Sequence, residues 1–169
     1  MIKVLALGAV LPTFALAGVQ SKLYFCVYSP VTVTKTVEYT LTTSGQSCLY
    51  EPASNKTLKL KLEEGKHRGI YCAKQAVQVS SKSSSSGGDL CATSDSLLNV
   101  AVSSDDGASA SGVTNWYAPA FQDNSVKLQH NPRSLSICAT MGICGINNEV
   151  DLGYDGVKSV YLVYNPSAI

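Results

Sequence analysis

The sequence has little charge, and neither sign dominates. Its 169 residues include 13 lysines and arginines against 12 aspartates and glutamates, and charged residues make up 15% of the chain. Proteins that hold nucleic acids or anionic membranes by bulk electrostatics carry a clear basic excess. We therefore expect no nucleic-acid partner and no electrostatic attachment to membranes.

Catalytic motifs are missing too. The chain contains two histidines and has no GxSxG elbow, no HExxH and no glycine-rich phosphate loop. We therefore expect a protein that is not an enzyme and that uses no cofactor. One alternative stays open: in a small hydrolase of ribonuclease type, His130 would work with Glu38 or Glu51 as general acid and base. His67 lies in a turn of solvated charges, where a surface role is expected.

Helical periodicity is lacking as well. No segment repeats apolar residues at a period of 3.6, and without an amphipathic helix a killer-type toxin acting on membranes has little support. Apolar and polar residues instead alternate with period two, most clearly over residues 31–41 and 57–62. These patterns predict an all-β protein, a disulfide-stabilised sandwich or barrel with long polar loops. Further strands are predicted over residues 23–28, 69–79, 97–102, 125–129, 134–139 and 157–164.

An export signal is predicted at residues 1–17. Lys3 supplies a positive start, an apolar stretch follows, and Ala15-Leu16-Ala17 places small residues where signal peptidase reads them. A proline interrupts the stretch, which is shorter than the about 20 apolar residues that span a bilayer. We expect cleavage before Gly18, no stable membrane insertion, and a single secreted, extracellular domain over residues 18–169.

All six cysteines lie beyond the predicted signal. An even number in an exported chain favours disulfides, because oxidising compartments let them persist, and no CxxC pair or His/Cys cluster indicates a metal site. The spacing leaves the pairing open. Cys138 and Cys144 enclose a short loop that suits a local bridge, and the alternative is that each staples a different strand. The six are Cys26, Cys48, Cys72, Cys91, Cys138 and Cys144.

Two polar stretches interrupt the predicted strands. Residues 80–88 are almost entirely serine and glycine, and residues 103–112 combine Asp105-Asp106-Gly107 with small side chains. Both compositions predict mobile surface loops. For residues 80–88 we favour a long hairpin loop over an interdomain linker, because Cys72 and Cys91 flank it.

Candidate binding residues fall into two groups. Trp116 and Tyr117, with Phe121 nearby, form the best aromatic cluster for an exposed contact or for stacking a sugar; the alternative is that they anchor a core. Lys59 and Lys61 face outward from a predicted strand and form a basic edge that suits an acidic partner. The alternative is that these lysines protect the sheet edge from aggregation.

Two further motifs concern modification and metals. Asn55-Lys56-Thr57 is a usable glycosylation sequon, which predicts a turn that faces solvent. Residues 151–156 begin like a calcium loop, but the third position is Gly153 and the twelfth is Leu162, so the ligand set is incomplete. We expect a turn before a strand there, and no metal.

A short signal, a neutral β-domain and an even set of cysteines together define the layout of this chain. That layout resembles the small secreted cysteine-containing effectors of plant-associated fungi. Tyr24-Phe25-Cys26, just beyond the predicted cleavage site, resembles the Tyr-x-Cys motif that opens mature ribonuclease-like effectors of powdery mildews. The resemblance implies a virulence-type fungal effector that binds a host or cell-surface protein or glycan.

Overall fold

The protein is built from strands. A computed structural model describes residues 20–49, 53–80, 96–117, 124–130, 132–153 and 157–168. Within these ranges the chain forms eleven strands, two 3-10 turns (Ile146–Asn148 and Pro166–Ala168) and no α-helix, which confirms the all-β prediction. The strands are β1 (Gln20–Ser29), β2 (Val37–Gln46), β3 (Thr57–Leu62), β4 (Gly69–Ser80), β5 (Leu97–Ser104), β6 (Ser109–Tyr117), β7 (Asn124–Gln129), β8 (Leu135–Thr140), β9 (Ile143–Cys144), β10 (Glu149–Gly153) and β11 (Val157–Tyr164).

The strands form two sheets around a common core. Sheet A has the order β4-β1-β11-β8-β9, and sheet B has the order β10-β7-β6-β5-β2-β3. Neighbouring strands are antiparallel except β1 and β11, which run parallel. The two sheets also approach each other at their margins, where β3 contacts β4 and β10 contacts β8. The sandwich is therefore curled into a half-barrel.

Alternate side chains along the strands point into the core. In β5, Leu98, Val100 and Val102 are buried, whereas Asn99 and Ala101 are exposed. Each buried aliphatic side chain contributes about 1.5–3 kcal/mol. Because a one-residue slip of the register would turn all three outward, the pairing of β5 with its neighbours is strongly specified.

Trp116 of β6 is the largest fully buried side chain in the described part of the protein. Its indole N–H donates a 2.9 Å hydrogen bond to Oγ1 of Thr114. That hydroxyl in turn donates to the carbonyl oxygen of Leu98 at 3.1 Å. Trp116 therefore anchors the core without leaving an unpaired donor, which would be costly in this environment.

Two disulfides join described residues. Cys26–Cys72 links directly paired positions of β1 and β4 across a sequence separation of 46. Cys138–Cys144 links paired positions of β8 and β9 across a separation of 6, so the local bridge is formed. Cys48 is also disulfide-bonded, and Cys91 lies outside the described residues. Intramolecular disulfides of this kind are typical of extracellular proteins.

One predicted strand starts later than its pattern indicates. The alternation over residues 31–41 is regular, but β2 begins only at Val37. The preceding segment makes irregular backbone bonds to the turn after β3: the N–H of Val33 donates to the carbonyl of His67 at 3.0 Å, and the N–H of Gly65 donates to the carbonyl of Val33 at 2.7 Å. Long-range pairing thus overrides the local pattern.

The predicted loop over residues 103–112 is instead a tight hairpin. β5 continues to Ser104 and β6 begins at Ser109, with Asp105 and Asp106 in the turn between them. The prediction was wrong because the inward positions Ser104, Ala110 and Gly112 carry small side chains, which give little apolar contrast with the outward serines. The sequence pattern does not predict β10 either, because its residues 151–153 belong to the motif interpreted as a turn.

Some predicted features lie outside the described residues. They include the export signal at residues 1–17, the serine-rich residues 81–88, residues 154–156 of the calcium-like motif, Glu51, Cys91 and Phe121. Among the residues that are described, no helix combines the length and apolar character that crossing a membrane requires.

Candidate functional site

The outer face of sheet A carries a second apolar cluster. Alternate residues of β1 separate cleanly: Leu23, Phe25 and Val27 enter the main core, whereas Tyr24, Cys26 and Tyr28 do not. Because successive side chains of a strand point to opposite faces, this second set lies on the outside of the sheet. We call it the outer cluster; it comprises the buried Cys26, Cys138 and Val163 and the partly buried Tyr24, Tyr28, Ile70, Cys72 and Tyr161.

Strand register explains how the outer cluster is assembled. Tyr24 and Tyr161 are directly paired on the parallel strands β1 and β11, and their rings stack with centroids 5.4 Å apart and planes 19° from parallel. Tyr161 also pairs with Cys138 on β8. The stacked tyrosines therefore lie beside the Cys138–Cys144 disulfide.

A short hairpin lies across this face. It joins β8 to β9 and is closed by Cys138–Cys144. A Cβ placed on Gly142 would lie 3.9 Å from Cδ1 of Ile70, although Ile70 is on β4, which is three strands from β8 in sheet A. Three strand spacings are about 14 Å, and four extended residues from Cys138 span about 13 Å. The hairpin therefore runs over the outer cluster, and we call residues 138–144 the strap.

The tip of the strap exposes two large apolar side chains. Met141 is 61% exposed and Ile143 is 69% exposed, and both flank Gly142. Gly142 has a φ of 106°, a conformation that is open in practice only to glycine. The disulfide ties the two ends of the strap together and so restricts the conformations open to its tip.

The chain leaves the strap through a close approach at Gly145. Its N–H donates to the carbonyl of Ile137 at 3.4 Å, and a Cβ on this residue would overlap the backbone carbonyl of Glu149. Asn147 and Asn148 follow with φ values of 56° and 57°, a left-handed conformation that asparagine tolerates better than most residues. The base of the strap is therefore fixed against the start of β10.

The predicted aromatic platform does not form. Trp116 is 0% exposed and belongs to the main core, whereas Tyr117 is 48% exposed. The two residues are adjacent on β6, so their side chains point to opposite faces of sheet B. Phe121, the third predicted member, lies outside the described residues. The interpretation of Trp116 as an exposed contact was wrong, because a strand cannot present consecutive side chains on one face.

Lys59 and Lys61 lie where the sequence predicts them, exposed on the edge strand β3. The Nζ of Lys59 lies 2.8 Å from Oε1 of Glu38 on the neighbouring strand. This hydrogen bond raises the pKa of Lys59, with the negative charge of Glu38 as the second cause. Since both groups are largely in solvent, we attribute little stability to the pair.

Neither histidine is paired with a carboxylate as an acid–base couple among the described residues. The ring of His67 meets that of Tyr71 edge to face at 4.3 Å, and its Nδ1 is buried without a hydrogen-bond partner. His130 follows β7 and borders a shallow groove of about 630 Å³ on the outer face of sheet B. No ion pair in the described ranges joins either histidine to an acid. Of the two acids weighed as partners, Glu38 binds Lys59, and Glu51 lies outside these ranges.

The calcium-like motif begins as a strand. Asp151 lies on β10, and its Oδ1 accepts a 2.7 Å hydrogen bond from the N–H of Gly153. The described ranges hold no group of three or more side chains arranged to bind a metal ion. Asn55 of the glycosylation sequon is exposed in the turn before β3, and its modification stays a prediction.

A carboxylate in the turn after β5 lies near two buried tyrosines. The hydroxyl of Ser104 donates to Asp106, and this hydrogen bond lowers the pKa of that carboxyl. The rings of Tyr39 and Tyr164 meet edge to face at 5.9 Å. Burial, followed by the charge of Asp106, raises the pKa of both phenols. The hydroxyl of Tyr164 is buried without a hydrogen-bond partner, which costs stability.

No family model, curated protein or solved structure matches the chain. The function is therefore inferred from the residues of the chain itself. Sequence reasoning singled out the Cys138–Cys144 loop as a candidate staple but missed Met141 and Ile143 as exposed contacts. The signal that could have found them was the presence of two large apolar residues inside a loop that the cysteines close.

Proposed function

We propose that the protein is an extracellular binding protein, an effector-type fungal protein that acts by recognising a host or cell-surface protein. The observation that carries the proposal is the strap, which holds Met141 at 61% and Ile143 at 69% exposure on a disulfide-closed hairpin. Covering such a side chain yields about 1.5–3 kcal/mol. Exposed apolar residues on a preorganised element are typical of the centre of a protein–protein contact.

The chemistry of the strap favours a protein over a glycan. Sugar-binding surfaces stack carbohydrate rings on the free faces of aromatic side chains, whereas methionine and isoleucine offer flexible or branched aliphatic surface. The nearest aromatic pair, Tyr24 and Tyr161, is stacked on itself and partly buried. We therefore assign a protein pocket as the partner and treat glycan binding as the competing outcome.

The test compares binding to plant protoplasts and to isolated plant cell walls. The purified, oxidised protein is labelled and titrated onto both, before and after treatment with protease or with glycosidases. The strap variant is Met141→Asp with Ile143→Asp. The matched control is Val31→Asp, because Val31 is 65% exposed but lies outside the strap.

We expect saturable binding that protease removes and glycosidases leave intact. The strap variant should bind at least about 100-fold more weakly, since two apolar contacts are replaced by charges, and the control should bind like the parent protein. Circular dichroism checks that all variants fold. Equal binding by the strap variant, or binding removed only by glycosidases, would overturn the proposal.

A further inference from the structure

Sheets A and B leave an open seam between β3 and β4. β3 is the last strand of sheet B and β4 is the last strand of sheet A. The two strands contact each other, but no ladder pairs them in the described part of the chain. A groove of about 510 Å³ runs between them, lined by residues 57–61 on one side and 72–75 on the other.

The seam presents backbone groups that are free to pair. Among the described residues, β3 is bonded to one strand, β2, along one of its two edges. In an antiparallel pair every second residue directs its N–H and C=O away from the partner strand. The open edge of β3 is therefore a template for one more extended chain.

β4 carries a bulge where it borders the seam. In the pairing of β1 with β4, Tyr24 faces Ala76 and Cys26 faces Cys72. Phe25 is thus opposed by three residues of β4, namely Ala73, Lys74 and Gln75. Such a bulge bends the strand and interrupts its ladder. The exposed Lys74 and Gln75 consequently lie on the wall of the groove.

Charge and apolar surface alternate along the groove. Lys59 and Lys61 are exposed on β3, and Lys74 is exposed on β4 across the seam. Lys59 forms an ion pair with Glu38, but neither Lys61 nor Lys74 makes an ion pair among the described residues. The intervening residues of β3 turn inward: Leu58 is buried and Leu60 is partly buried.

We propose that this seam binds an extended acidic segment of another protein by strand addition to β3. Alternate residues of an extended peptide are about 6.6–6.8 Å apart on one face. Carboxylates at such positions meet the lysines, while the residues between them face the leucines of the groove floor. The partner is therefore a segment in which acidic and apolar residues alternate. This site is separate from the strap, and its test does not depend on the proposed function.

Edge protection and polyanion binding are the two competing roles for these lysines. Lysines and bulges on edge strands also serve to prevent aggregation, in which case the groove binds nothing. A cluster of lysines also attracts polyanions such as sulfated glycans, which need no backbone pairing. Only strand addition requires both carboxylates and free peptide N–H groups in the ligand.

The experiment uses short fluorescent peptides of alternating glutamate and valine, titrated against the folded, oxidised protein by anisotropy. A second peptide has the same sequence with N-methylated valines, which removes backbone donors but keeps the charge. A third replaces glutamate by lysine, and a heparin fragment tests polyanion binding. The protein variants are Lys61→Glu with Lys74→Glu, and the control Lys158→Glu, whose lysine is exposed on β11.

We expect the glutamate peptide to bind and the N-methylated and lysine peptides to bind at least about tenfold more weakly. The double variant should lose about tenfold in affinity, and the control should not change. Amide NMR shifts should be confined to β3 and β4. Equal binding of the N-methylated peptide, or tighter binding of heparin with no effect of methylation, would replace strand addition by a polyanion site. Failure of every probe to bind would overturn the proposal and leave edge protection as the role of these lysines.

Discussion

The two described disulfides should differ in how much they stabilise the fold. We compare Cys26→Ala with Cys72→Ala against Cys138→Ala with Cys144→Ala. In each pair one cysteine is fully buried, so the packing losses are similar. The chain-entropy relation gives about 4 kcal/mol for a separation of 46 and about 2 kcal/mol for a separation of 6. The longer crosslink should therefore contribute about 2 kcal/mol more.

Urea unfolding followed by tryptophan fluorescence measures this difference, because the single Trp116 lies in the main core. With a slope of about 2 kcal/mol per molar, the two midpoints should lie about 1 M apart, with the Cys26 and Cys72 variant lower. Equal midpoints, or a lower midpoint for the variant without Cys138–Cys144, would refute the loop-closure reasoning. The latter result would mean that the strap stabilises the outer cluster beyond its entropic effect.

The same pair of variants separates folding from binding. Without Cys138–Cys144 the strap loses the link between its two ends, but the main core is untouched. We expect this variant to keep its tertiary fold at room temperature and to lose protoplast binding. A variant that binds normally would show that the staple does not preorganise the tip. Two further predictions concern single residues. Tyr164→Phe should raise the free energy of unfolding by about 1 kcal/mol at neutral pH, because it removes a buried hydroxyl without a partner. Because folding raises the pKa of the Tyr164 phenol, the phenol ionises more readily in the unfolded state above about pH 10, and the free energy of unfolding falls as pH rises. Urea titrations at neutral and alkaline pH should therefore show a smaller fall in that free energy for the variant than for the parent protein. Gly145→Ala should destabilise by about 3 kcal/mol, because its Cβ would overlap a carbonyl of β10; a thermal melt like that of the parent protein would contradict the close approach.

Local patterns predicted those strands whose two faces differ strongly in hydrophobicity. β3 follows the alternation of leucine and lysine with the predicted bounds, and β5 follows the alternation of Leu98, Val100 and Val102. β6 and the end of β5 escaped prediction because small residues, Ser104, Ala110 and Gly112, fill their inward positions. The signal in each case depends on the difference in hydrophobicity between the two faces, and where that difference vanishes the pattern does too.

The candidate site was harder to predict than the fold. Both faces of sheet A carry apolar residues, so the sequence of β1 does not distinguish Phe25 of the main core from Tyr24 of the outer cluster. The strap depends on Gly142 lying close to Ile70, which is far from it in the chain. The seam depends on which strands end the two sheets, and this order is a property of long-range pairing.

The sequence by itself determined that the chain is all-β and that two of its cysteines suit a local staple, because period-two alternation and short loop closure are local properties. Only the tertiary structure decided that Trp116 is buried, that the strap lies over the outer cluster, and that Lys61 and Lys74 face one groove. Each of these depends on strands distant in sequence meeting side by side, and the free energy that selects one pairing is shared among many residues.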